Sequence, residues 1–158
     1  RSSEISERHH PRLHRRFHFP LIMKLLLQIP LLGIILIVFN AIILNDPLSL
    51  RPDAAAVFTL PLPSGIPWEA TVSDLLIISG VILLYLELFK ATRTDVSTII
   101  EHVFSLLVFL VFLVQFIVYP PAANSTCVIL MLIALLDVVG GFTISISTAR
   151  RDMAFGGH

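Results

Sequence analysis

Charge is scarce in this chain. Lys, Arg, Asp and Glu make up 14% of its 158 residues, where a soluble domain normally carries about 25%. The formal net charge is zero, so no global field draws the chain toward nucleic acid. Cys127 is the single cysteine, which excludes an intrachain disulfide. No Walker loop, dinucleotide fingerprint, nucleophile elbow, zinc ligand set or basic nucleic-acid motif occurs in the sequence. These absences leave no sequence support for nucleotide chemistry, nucleophilic hydrolysis or nucleic-acid binding. The expectation is a non-enzymatic protein with no cofactor and no metal.

Apolar residues are abundant instead. They form 56% of the chain, and its mean hydropathy is +0.89. A hydrocarbon core about 30 Å thick is crossed by about 20 apolar residues in a helix. Four runs approach that length: 25–44, 72–89, 99–119 and 126–147. Backbone groups find no water in the bilayer core, so each run is expected to be helical. The expected fold is an all-α integral membrane protein, an antiparallel bundle of four transmembrane helices.

The cations set the expected threading. Arg1, Arg8, Arg12, Arg15, Arg16, Lys24, Lys90, Arg93, Arg150 and Arg151 lie before span one, between spans two and three, or after span four. The other two connections hold only Arg51. The positive-inside bias therefore places both termini and the 90–98 loop in the cytoplasm, with 45–71 and 120–125 outside. Met23-Lys24 precedes an apolar run as the start of a membrane protein often does. Residues 1–22 are therefore set apart as a basic extension, either native or a mis-assigned start. Residues 23–149 form the membrane domain and 150–158 a short cytoplasmic tail. The first run is longer than a signal-peptide core, and no small-x-small cleavage site follows it, so it reads as an uncleaved span. Compact loops and the lack of sorting signals point to a bacterial inner membrane.

Local signals fill in the connections. Asp95 and Ser97 are candidate caps for span three, and Ser73 or Asp74 for span two. Tyr119-Pro120-Pro121 ends span three, because proline cannot continue a helix. Pro30 and Gly33 predict a kink or a close contact inside span one. Asp53 is a candidate cap for a short helix over 54–60. That outer loop reads as a segment shielding the helix ends, or else as a docking surface. Trp68 and Tyr119 fall where amphipathic rings favour the outer interface.

Asp137 is the sharpest single residue, an acid near the middle of span four. A carboxylate there costs about 2.5–3.5 kcal/mol or more, so it needs a partner or a proton. Ala134, Asp137, Gly141, Ser145 and Thr148 follow at spacings of three and four and share one helix face. Gly141 and Ser145 form a small-xxx-small pair that permits close helix approach. By counting depth, Gly33, Ser79 and Gly80 lie level with Asp137, and Ser79 is the expected hydrogen-bond donor. The stripe supports an assembly role through span four, with a partner membrane protein or a second copy. It also supports a proton- or cation-coupled carrier. Assembly is the weightier of the two, since one acid without a second polar relay is thin support for transport.

A second group gathers at the cytoplasmic ends of spans two and three: Glu87, Lys90, Glu101 and His102. Glu87 and Lys90 stand at i,i+3 and can pair, and Glu101 lies where the helix dipole favours an anion. The group reads as an interfacial ion cluster rather than as a catalytic pair, because neighbours on a helix point about 100° apart. His102 is the only histidine near a span, so a bis-histidine haem within this chain is not expected. His10, His14 and His18 have a metal-like spacing, but adjacent arginines repel a cation. Their segment reads better as one lying on anionic lipid. Asn124-Ser125-Thr126 matches a glycosylation sequon and is taken as chance. Asn40 and Gln115 either line a polar path or cross-link helices, and Phe109, Phe112 and Phe116 share one face of span three.

Overall fold

The computed structural model describes residues 30–92 and 97–155. Four α-helices dominate them: α1 (Leu31–Asn45), α2 (Val72–Ala91), α3 (Ser97–Val118) and α4 (Ser125–Phe155). Three helices are long and apolar enough to cross a membrane, over Val72–Ala91, Glu101–Val118 and Ser125–Ser147. The basic extension with its three histidines, the first residues of the expected span one, Arg93 and Asp95 lie outside the described residues.

Span one is described from Pro30 onward. There Pro30 stands at the N-cap of α1, with an extended backbone at φ −64° and ψ 134°. Proline has no N–H to donate, and its ring obstructs the preceding turn, so the helix begins after it. The resulting α1 has 15 residues, about 22 Å at 1.5 Å per residue, shorter than a hydrocarbon core.

The outer connection departs from expectation. Residues 54–60 form no helix: Phe58–Leu60 is a strand, β1, paired antiparallel with Trp68–Ala70, β2. Phe58 faces Ala70 and Leu60 faces Trp68 in the register. Aromatic and β-branched residues suit a pleated ribbon, and Pro61 and Pro63, which follow at once, bar a helix from continuing through them. Gly65, at φ +83°, makes the turn in a conformation that side chains rarely adopt. A 3₁₀ turn over Pro47–Leu50 links α1 to this loop. The cap of α2 is Thr71, with Asp74 bonding back to it in a reciprocal capping box. The cap thus falls before Ser73 and Asp74.

Side-chain contacts fix the helix directions. Gly80 packs toward Leu130 and Ile133, and Gly140 toward Leu88, so α2 and α4 run parallel. His102 meets Ser145 while Cys127 meets the Phe112 carbonyl, so α3 runs antiparallel to α4. α4 packs closely against α2 and α3, and α1 packs against the same two from the other side. The core is apolar, with Phe39, Phe112, Ile43, Leu130 and Cys127 fully buried. Phe39 and Phe112 meet with ring centroids 5.6 Å apart, and Phe109 and Phe116 pack at its edge. The expected Phe stripe is therefore packing.

α3 stops at Val118, before Tyr119 and the 3₁₀ turn Pro120–Ala122. Asn124 then caps α4: its Oδ1 accepts from the Cys127 N–H at 2.9 Å and its Nδ2 donates to the Pro121 carbonyl. The sequon asparagine is thus committed to a helix cap. α4 runs on through Phe155, so part of the expected tail is helical.

Candidate functional site

The two polar groups read separately in the sequence meet in the structure. α4 contributes Asp137, Gly141 and Ser145. α3 contributes Glu101, His102 and Ser105, and α2 contributes Glu87 and Lys90. Glu87, His102, Ser105 and Asp137 are all buried.

The cluster has a rim of ion pairs and a more deeply buried interior. At the rim, Lys90 Nζ lies 3.2 Å from Glu87 Oε2 and 3.6 Å from Glu101 Oε2. Glu87 Oε1 accepts from the Leu31 backbone N–H. The carboxylate therefore satisfies an amide at the start of α1, where a helix leaves its N–H groups without internal partners. One acid thus ties α1 to α2 while its cationic partner ties α2 to α3.

Deeper in, the His102 ring lies between α3 and α4, with Nε2 2.8 Å from Ser145 Oγ. Its other contacts are the Phe142 ring, at 4.8 Å between centroids, and the bare backbone of Gly141. The Gly141–Ser145 pair permits close approach as the sequence implied, but the group that approaches is an imidazole of the same chain. Ala134 and Asp137 are buried on the same face. Ala134, Asp137 and Gly141 are therefore covered from within the chain.

Asp137 is 4% exposed. Its nearest hydroxyl neighbour on α3 is Ser105, with Glu87 and Lys90 as its charged neighbours. Its Oδ2 has no partner among the described residues. Ser79 is not involved: it is exposed, while its neighbour Gly80 faces α4. Adjacent helical residues point about 100° apart, so both cannot face the same partner. Depth counting also misplaced the level, since Gly80 packs one to two turns from Asp137, against Ile133 and Leu130. The donor that sequence reasoning missed, Ser105, stands three residues from His102 on one face of α3. That spacing was the available signal.

Asn40 and Gln115 form a reciprocal amide pair between α1 and α3, at 2.6 and 3.4 Å. They cross-link helices. Hydroxyls directed away from the core satisfy themselves: Thr143 and Ser147 each bond the carbonyl four residues back. Among the described residues, no three His, Cys, Asp or Glu side chains are grouped to hold a metal ion.

No family model, curated protein or solved structure matches the chain.

Proposed function

We propose that this chain is a non-enzymatic, multi-pass protein of a bacterial inner membrane, and that its function centres on a proton held at Asp137. In this reading α1 and the apolar residues before it make a fourth span, and both termini are cytoplasmic. The observation that carries it is the unpartnered Oδ2 of a buried carboxyl, set beside Ser105 and within the cluster that holds His102 and Ser145. A carboxylate with an orphan oxygen in hydrocarbon is costly, whereas a neutral acid bonded to a hydroxyl is not. The sequence offered one acid without a relay; the cluster places an imidazole and two hydroxyls with it. The biochemical role that fits is a small proton-coupled carrier or channel. Four helices enclose little path on their own, so the working unit is a homo-oligomer or a complex with another membrane protein.

The decisive experiment reconstitutes the full chain in liposomes containing a trapped pH-sensitive dye. Asp137→Asn is expected to keep oligomer size and abundance and to abolish pH-dependent proton flux. Unchanged flux in that variant removes the carrier reading.

One observation favours a second reading, an accessory or assembly subunit of a larger membrane complex. Val57, Phe58, Leu60, Leu62 and Ile66 around the hairpin are all exposed, which suits a partner as well as it suits lipid. Stoichiometric foreign subunits, found on gentle extraction from the native membrane, would support that role. The same role predicts that Asp137→Leu damages assembly.

A further inference from the structure

We infer that His102 carries protons between the charged rim of Glu87, Lys90 and Glu101 and the Asp137 carboxyl, and that in this conformation Asp137 exchanges with that end of the bundle alone. This rests on the reading of Asp137 as a protonated site.

The rim opens outward: the Lys90 side chain is 31% exposed and Glu101 20%. His102 directly follows Glu101 in sequence, and its ring is buried. Because α3 and α4 are antiparallel, two polar rows lie side by side. His102 and Ser105, three residues apart, face Ser145, Gly141 and Asp137, spaced at four. The ring meets Ser145 and Gly141, and one turn deeper Ser105 lies beside the buried Asp137. The row therefore leads from the rim to the carboxyl, with Ser145 holding Nε2 of the ring.

Imidazole suits that position because it has two nitrogens with opposite roles in its neutral form. A proton arriving from the rim adds to one ring nitrogen. The imidazolium then releases the proton of the other nitrogen inward, by way of the Ser105 hydroxyl, and an O–H bond forms on Asp137. Charge and atoms balance, and no redox partner is involved. A carboxylate rim stabilises the imidazolium while it lasts, with Glu87 and Lys90 on α2, Glu101 on α3 and Asp137 itself on α4 as the charged groups around it.

In this conformation the opposite direction is closed. Beyond Asp137, the bundle is filled by Ile133, Ala134, Leu130, Val108, Phe112 and Phe39, all buried. The next polar interior group on α3 is Gln115, ten residues from Ser105, roughly 15 Å along the axis. Its amide is bonded to Asn40, and amides neither gain nor lose a proton readily.

The test uses the full chain in lipid nanodiscs and follows deuterium exchange at the carboxylic C=O band by infrared spectroscopy. Asp137→Asn identifies the band by removing it. His102→Asn is expected to keep the band and slow its exchange roughly 10²-fold, the contribution usual for a positioned acid–base group, with partial recovery on adding imidazole. Gln115→Leu is expected to leave the rate unchanged. Native-rate exchange in His102→Asn overturns the inference, as does slowing by Gln115→Leu. Should His102→Asn not reach the membrane, Ser145→Ala keeps the imidazole but frees its Nε2. Slowed exchange is then expected, and a native rate overturns the route. A native protein without any Asp137 band would instead overturn the protonated-site reading, and this inference with it.

Discussion

The imidazole of His102 rests on Gly141 so closely that a Cβ at position 141 would fall 2.5 Å from Cε1 and 2.8 Å from Nδ1. The ring cannot step aside easily, because Ser145 holds one edge and Phe142 one side. Gly141→Ala is therefore expected to displace the ring, break the bond to Ser145 and cost about 1–3 kcal/mol of stability, as overpacking does. Gly140→Ala is the internal control. Its Cβ would meet Leu88 Cδ2 at 2.7 Å, the tip of a side chain able to change rotamer, so the cost should be smaller. Thermal unfolding of both variants in one detergent checks this. Equal losses would mean that the His102 seat is not special.

Glu87 holds two other groups in place, the Leu31 N–H and the Lys90 ammonium. Glu87→Leu strips both at once and leaves a partly buried cation without its nearer carboxylate. Removing one member of a buried pair costs about 3–5 kcal/mol. Lys90 keeps Glu101 at 3.6 Å, so the low end, about 3 kcal/mol, is expected. Glu101→Gln removes only the longer, more exposed contact and should cost no more than about 1 kcal/mol. Chemical denaturation in mixed micelles ranks the two. A larger loss for Glu101→Gln would contradict the assigned roles.

Much of this fold could be read from the chain because apolar length and proline position act locally. Three spans and the stop before Pro120 came out near their observed bounds for that reason. The hairpin did not, because Phe58–Leu60 and Trp68–Ala70 pair across a connection whose register only the turn at Gly65 fixes. Phe58 and Trp68 then meet edge to face at 6.0 Å. For the site, the residue types were visible and their union was not. Asp137 and His102 belong to different spans, and depth counting sets a level along the axis but no rotation about it. Ser79 was chosen on level alone. Rotation is set by close packing, here by Gly141 admitting the His102 ring, and that brings Ser105 rather than Ser79 to the acid.

Asn40 and Gln115 exchange hydrogen bonds between α1 and α3, away from the charged cluster. Hydrogen bonds between helices in membrane proteins are modest, about 0.6 kcal/mol on average and rarely above about 1.7. Gln115→Leu leaves the Asn40 Nδ2 bonded to the Leu36 carbonyl, so it loses only the longer of its two bonds, while Oδ1 loses its partner. A loss of about 1 kcal/mol is expected, with assembly unchanged. A double-mutant cycle with Asn40→Leu measures the coupling. Zero coupling would show that the pair is incidental to holding α1 against α3.

Trp68 is the single tryptophan of the chain, and it sits on the hairpin that leads into α2. It lies three residues before the Thr71 cap, so the hairpin is at the mouth of a membrane-length helix. Aromatic rings with a polar edge concentrate at the headgroup level of a bilayer, and the indole N–H needs such a polar surrounding. Trp68 emission is therefore expected to be quenched most by lipids brominated near the headgroup and least by lipids brominated at the chain ends. Trp68→Ala should remove the signal without moving the spans, because the ring is at the surface and not in the core. Strongest quenching from the chain ends would place the hairpin inside the hydrocarbon. No quenching by any brominated lipid would place it in water or against a protein partner, and that outcome would favour the accessory-subunit reading over a hairpin resting on lipid.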